Sequence, residues 1–203
     1  MQPILVPGTK GYVDDAEWLI PRYDGIPFQE KYRALIHLFP AEPSRILDVG
    51  AGTGVDARWF AAKGHRVLAV EPLAAFRQAS IERHPASGVE WVDDSLPALS
   101  KVGPREGFDV VVLSAVWNHL APSERGEAMA RLAELLATGG LLVISIRHGN
   151  HPPNRHMFEA PADDTVNSAI AHDLAPVARV EAASTQALNR QAGVTWTWLA
   201  FRR

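Results

Sequence analysis

The sequence predicts an α/β fold built on a mostly parallel sheet with helices on both faces. Two observations carry this. From Arg45 onward, short runs rich in β-branched and aliphatic residues alternate with helical stretches, the pattern of strand–crossover–strand units. The helical stretches between them end at Gly64, Pro85 and Gly139-Gly140, residues that stop a helix before the next strand.

The elements follow in order. Residues 1–26 hold Pro3, Pro7, Gly8, Gly11, Pro21 and Gly25 without a sustained period, which predicts an arm lying over the domain surface. Pro27 suits a first helical position. Phe28, Tyr32, Leu35, Ile36 and Phe39 then recur at helical spacing until Pro40 and Pro43, so a helix is expected over 27–39. Strands are expected at 45–49, 66–70, 89–92, 108–113 and 140–146. Helices should fill 53–63, closed by Gly64, then 74–84, ended by Pro85, and 122–137, closed by Gly139-Gly140. Residues 150–161 carry three prolines and no period, and so read as a loop of functional length. A helix near 162–173 precedes strands near 177–183 and 194–201. In the last strand Val194, Trp196, Trp198 and Ala200 face one way, and Thr195, Thr197, Leu199 and Phe201 the other. No linker divides the chain, so 203 residues are expected to form one domain: residues 1–44 as arm and helix, residues 45–203 as core.

Composition removes several classes of function. Hydrophobic residues make up 47% and charged residues 21%, ordinary globular usage. A net charge of -3, from 20 basic and 23 acidic residues without long blocks, argues against a broad surface for nucleic acid or anionic membrane. The chain has no cysteine, which excludes disulfides, thiolate metal sites and a cysteine nucleophile. The N-terminus lacks a basic lead and a long apolar segment, and Leu141–Ile146 is too short to span a bilayer. A cytoplasmic location is the default expectation, and oligomeric state is left open.

Arg45-Ile46-Leu47-Asp48-Val49-Gly50-Ala51-Gly52-Thr53-Gly54 reads as a buried strand entering a glycine turn and then a helix. Glycines permit a sharp turn and close approach of a ligand, and the helix start offers free N–H groups. Glu71 ends the second strand seventeen residues after Gly54, where a carboxylate can accept both hydroxyls of a ribose. A dinucleotide and S-adenosylmethionine compete as the ligand. The dinucleotide fingerprint needs a glycine at 55, and the chain has Val55. Asp48 suits an amino group better than a pyrophosphate.

The run Leu47-Asp48-Val49-Gly50-Ala51-Gly52-Thr53-Gly54 resembles the first motif of the class I S-adenosylmethionine-dependent methyltransferases. The resemblance implies a Rossmann-like fold with a seven-stranded, mostly parallel sheet and a final antiparallel strand. It implies that Asp48, Gly50, Ala51, Gly52, Thr53 and Gly54 hold the methionine part of the cofactor, and that Glu71 with Pro72 holds the ribose. Asp94 with Ser95 would hold the adenine, Asp93 being the alternative. In that family the end of the fourth strand lines the cavity, which implies Ser114, Ala115 and His119 as cofactor wall. Arg22-Tyr23-Asp24 followed by Pro27-Phe28 resembles the family's covering arm and makes Tyr23 the lid. Enzymes that methylate base amino groups carry an Asn/Asp-Pro-Pro-aromatic motif here, and Ser114-Ala115-Val116-Trp117 departs from it.

On the acceptor side, His119 and His148 are candidate catalytic bases, because histidine exchanges protons near neutral pH. Trp117, Arg147 and Arg155 are candidate substrate-binding residues, an arginine fork being matched to a carboxylate or phosphate. His148, His151 and His156 lack the spacing and carboxylates of a metal site, so no metal is expected. The predicted activity is in-line methyl transfer to a small-molecule acceptor. A protein acceptor, an inactive cofactor-binding module and a nicotinamide-dependent oxidoreductase are the alternatives.

Overall fold

A computed structural model describes residues 6–103 and 107–203. The first five residues of the expected arm lie outside it. In chain order the elements are α1 (Ala16–Asp24), α2 (Phe28–Lys31), β1 (Arg45–Val49), α3 (Val55–Ala62), β2 (Arg66–Val70), α4 (Ala74–Arg83), β3 (Val89–Val92), β4 (Phe108–Leu113), α5 (Arg125–Leu135), β5 (Leu136–His148), α6 (Ala162–Ile170), β6 (Ala175–Ala183), α7 (Ala187–Gln191) and β7 (Thr195–Arg202).

The strands form one seven-stranded sheet in the order β3-β2-β1-β4-β5-β7-β6. β7 runs antiparallel to both of its neighbours, β5 and β6, while β1 pairs in parallel with β2 and β4. The order reverses between β1 and β4, and the crevice outside the strand ends at that point is where such sheets bind ligands. The predicted class and the antiparallel last strand are therefore observed. The faces of β7 alternate as expected: Trp198 and Ala200 join the core under α2 and α3, and Leu199 and Phe201 join the core under α5 and α6.

Three local expectations change. The helix expected over 27–39 shrinks to one α-turn, with a 3-10 turn at Ile36–Leu38. A straight helix would set Phe39 about 16 Å along the axis from Phe28, whereas their ring centroids lie 5.7 Å apart. The segment folds back so that Phe28 can stack on Trp59 while Phe39 meets Phe60, and aromatic packing overrides helical spacing. The arm holds a helix that its prolines concealed: Ala16, Leu19 and Ile20 of α1 pack against Leu73 and Phe76 at the start of α4. Finally, α5 stops at Leu135 and β5 starts at once, so Gly139 and Gly140 lie within the strand and do not cap a helix. A Cβ at Gly140 would come within 2.8 Å of the Phe108 carbonyl oxygen, which explains the glycine beside the irregular start of β4.

Among the described residues, no helix is long and apolar enough to cross a membrane.

Candidate active site

The C-terminal ends of β1, β2, β4 and β5, together with the arm and the β6–β7 connection, enclose a cavity of about 810 Å³. That is the size range of small-molecule and cofactor sites. Its floor is the turn after β1. Gly50, Gly52 and Gly54 have φ of 67°, 57° and 74°, a region costly for residues with a Cβ; Gly50 and Gly52 line the cavity, whereas Gly54, expected there too, packs against Trp91 instead. Beyond Gly52 the nearest atom to an added Cβ is Tyr23 Cδ2, at 3.9 Å, so the arm brings Tyr23 beside this loop, and Tyr23 lines the cavity.

Glu71 is anchored in this floor. Its Oε2 accepts from the Gly52 N–H at 2.8 Å and its Oε1 from the Leu73 N–H at 2.9 Å. Burial pushes the carboxyl up from 4.5 to about 7, against those two donors and Arg77, which pull it down. Asp48 lines the cavity from the end of β1, and its Oδ2 is buried without a hydrogen-bond partner among the described residues. Burial, and next the Asp56 carboxylate, hold Asp48 well above the usual carboxylate range. Asp56 itself is occupied, its Oδ2 taking Lys31 Nζ and the Tyr32 hydroxyl, each at 2.7 Å. Ala51, Thr53, Pro72, Asp94 and Ser95 also line the cavity. Of the two adjacent acids only Asp94 does so. Asp93 pairs with Arg77 at 3.2 Å and its side chain is 60% exposed.

Ser114 and Ala115 line the opposite wall. Ala115 has φ of 62°, a strained conformation for alanine. The Ser145 hydroxyl holds it there by accepting the Ala115 N–H at 2.7 Å.

His119 also faces the cavity. Its Nδ1 lies 2.8 Å from the His156 carbonyl oxygen, which can only accept, so Nδ1 carries the hydrogen. Nε2 is thereby left to accept from the Tyr12 hydroxyl at 3.0 Å. Burial lowers the imidazole below its ordinary value, opposed by the hydrogen bond to the His156 carbonyl and aided by the charges of Arg155, His156 and His151. Tyr12 is a functional candidate that sequence reading missed. No motif marks it, and it meets His119 across 107 positions.

The acceptor-side candidates divide. Arg147 and Arg155 line the cavity, whereas Trp117 and His148 do not. Trp117 is wholly buried, 0% exposed, and its Nε1 donates to Thr165 Oγ1 at 3.0 Å. The 3-10 turn at 117–119 advances about 120° per residue, which sends Trp117 into the core and His119 to the cavity. It is Asn118, between them, that fastens the turn to β5, exchanging two hydrogen bonds with the Arg147 main chain. His148 follows Arg147 on a strand, so its side chain takes the other face and its Nε2 meets Thr197 Oγ1 at 2.6 Å. The substrate-binding role expected of Trp117 and the catalytic role expected of His148 are thus corrected. Among the described residues no group of three or more His, Asp or Glu side chains could hold a metal ion.

Comparison with known proteins agrees with this geometry. The profile of a family described as a methyltransferase domain matches residues 27–202. A ubiquinone biosynthesis O-methyltransferase of Bradyrhizobium sp. (strain ORS 278) is 32% identical over 106 residues, 52% of this chain and 41% of that one. The chain thus spans well under half the length of that curated relative. Among solved structures, a 1,6-didemethyltoxoflavin-N1-methyltransferase of Burkholderia thailandensis superposes with a TM-score of 0.69 at 22% identity, covering 100% of this chain and 92% of that one. The N-methyltransferase NodS of Bradyrhizobium japonicum gives 0.68 at 20% identity, covering 90% of each chain. Sheet order, glycine turn and sequence profile coincide, and the chain belongs to the methyltransferase domain family, with the Rossmann-like fold of its S-adenosylmethionine-dependent members.

Proposed function

We propose that the chain is an S-adenosylmethionine-dependent methyltransferase acting on a small molecule. The observation that carries this is the convergence of the glycine turn, buried Glu71 and the unpartnered Asp48 oxygen on one cavity. These groups fit the donor. A buried acceptor without a partner suits an ammonium group, and a carboxylate already fixed by two main-chain donors keeps lone pairs for two ribose hydroxyls.

S-adenosylmethionine supplies a methyl group bonded to a positively charged sulfur. The chain's own residues do the rest. Gly50, Ala51, Gly52 and Thr53 would hold the methionine part with Asp48, Glu71 and Pro72 the ribose, and Asp94 and Ser95 the adenine, while Gly54 shapes the turn from behind. Ser114, Ala115 and His119 would form the wall beside the reacting centre. Tyr23 would cover the loop and exclude water, and holding both reactants in line contributes most of the acceleration. His119 is the candidate catalytic base, with Nε2 free of hydrogen and aimed at the Tyr12 hydroxyl. Arg147 and Arg155 form the acceptor side. The arm over the cavity, with Tyr12, Leu19 and Tyr23 among its lining residues, favours a small acceptor over a protein chain.

Titration calorimetry tests the reading. S-adenosylhomocysteine should bind and raise the melting temperature, and NAD should do neither; Glu71→Ala should remove the binding. A protein that ignores S-adenosylhomocysteine, or binds it equally well without Glu71, refutes the assignment. A supply of labelled methyl donor with a panel of small acceptors then identifies the product.

A further inference from the structure

The cationic side chains lining the cavity are not equivalent. Lys31 is neutralised by Asp56 at 2.7 Å and Arg155 by Asp15 at 2.7 Å. Arg155 also lies over the Tyr12 ring, 4.1 Å from its centroid, and Arg22 lies over Trp18 at 3.7 Å. Arg147 has no such partner. It is 9% exposed, and among the described residues it forms no ion pair. Its Nη1 donates to two main-chain oxygens, Asn150 at 2.7 Å and Gly149 at 3.3 Å, which fix the guanidinium without balancing its charge. The main chain beneath is fixed as well. Asn118 Oδ1 accepts the Arg147 N–H at 2.8 Å and Asn118 Nδ2 donates to the Arg147 oxygen at 3.1 Å, standing in for the neighbouring strand beyond the end of β4.

A cation held away from water without a counterion is costly, and no nitrogen of Arg147 is among the sealed atoms without partners. Its remaining N–H donors therefore open on the cavity. Beside it stands Trp196, its register partner on β7, with Ala182 next across the sheet. Both line the cavity with Gln186 and Asn189. Ala182 adds only a methyl group beside the indole, which is the flat apolar surface of this corner. β5 lies two strands and β7 three strands from β1, so this corner is about 10–14 Å across the sheet from the glycine turn, and the space between them is where an acceptor nucleophile must sit.

We propose that Arg147 and Trp196 form an anion subsite, and that the methyl acceptor is a small planar molecule carrying a carboxylate or phosphate away from its nucleophile. The proposal rests on the methyltransferase reading above and specifies its acceptor. Arg155, spent on Asp15 and Tyr12, is not part of the subsite.

The test uses the full chain saturated with S-adenosylhomocysteine, titrated calorimetrically with benzoate, phenyl phosphate, benzamide and benzylamine. At least one anion should bind about 10-fold to 100-fold more tightly than neutral benzamide, the worth of a charge-assisted pair, and benzylamine should bind no better than benzamide. The stronger of benzoate and phenyl phosphate identifies the anion. Arg147→Gln should erase the preference while S-adenosylhomocysteine affinity is kept, and Arg147→Lys should retain part of it. Equal binding of benzoate, phenyl phosphate and benzamide by the unmodified protein overturns the proposal without any variant, as does a preference that survives in Arg147→Gln or is undiminished in Arg147→Lys. Failure to bind S-adenosylhomocysteine at all would instead overturn the methyltransferase reading.

Discussion

Replacing Glu71 by glutamine separates two effects that the structure sets against each other. The carboxyl titrates near 7 in the folded protein against an ordinary value of 4.5. Between those values the folded chain keeps a proton that the unfolded chain has lost, so unfolding free energy falls as pH rises and levels off above 7. At 1.36 kcal/mol per unit, the whole shift amounts to about 3 kcal/mol. Glutamine removes this dependence and introduces a constant cost. Both carboxylate oxygens accept main-chain donors, from Gly52 and Leu73, but an amide has one oxygen. One N–H must then face an NH2 group, at about 1–3 kcal/mol. The variant should be the less stable protein at pH 5, and the gap should close or reverse by pH 8. Urea unfolding of both proteins at pH 5, 6, 7 and 8, followed by tryptophan fluorescence, gives the difference directly, because groups common to both cancel. A gap that stays constant across this range refutes both the raised titration of Glu71 and the burial that causes it.

Three further substitutions probe the site. Trp117→Ala should cost about 3–5 kcal/mol of stability, as large aromatic deletions in a core do, yet leave calorimetric affinity for S-adenosylhomocysteine unchanged; a selective loss of affinity would return Trp117 to the cavity. Gly54→Ala puts a Cβ 2.7 Å from Trp91 Cζ2 at a φ of 74°, and backbone strain alone should cost about 1–2 kcal/mol. Its melting temperature should fall and its cofactor affinity with it. Tyr12→Phe removes the hydrogen bond donated to His119 Nε2, which favours the neutral ring, so the histidine should titrate at higher pH by NMR and methyl transfer should slow. An unchanged His119 titration would refute the contact.

The parts of the fold legible in sequence are those fixed by local pattern. β1, β2, β3 and β4 occupy the expected residues: β1, β2 and β4 because largely buried strands read as short apolar runs between turn residues, and the edge strand β3, none of whose residues is buried, because Val89, Trp91 and Val92 still mark it. The faces of β7 follow from a period of two. The same period at the end of β5 sets Arg147 and His148 on opposite faces, so one of these neighbours had to turn away from the cavity, and it is His148. Ala16, Leu19 and Ile20 stand at helical spacing, yet Pro21 inside α1 masked the helix. Trp117 shows the limit of proximity in sequence: two residues from a cavity histidine, it belongs to the opposite surface of its turn.

The donor and acceptor sides differ in legibility for one physical reason. Glycine turn, Asp48, Glu71 and Asp94 lie on or just after consecutive strands, so strand order alone carries them to one crevice. The acceptor side is assembled from the arm, the loop at 150–161 and the β6–β7 connection, whose positions depend on contacts between distant segments. Asp15 binds Asn154 and Arg155, all three lining the cavity, and Gly11 lies so close to that loop that a Cβ would collide with the Asn154 oxygen. That clasp decides which arginine is free: Asp15 neutralises Arg155, while Arg147 forms no ion pair among the described residues. Two arginines equivalent in the sequence thereby become one clamp residue and one binding residue, a distinction set by an aspartate 140 positions from the arginine it holds. Removing Asp15 should therefore free Arg155 as a second cation beside Tyr12 while leaving the donor side, built on other strands, intact.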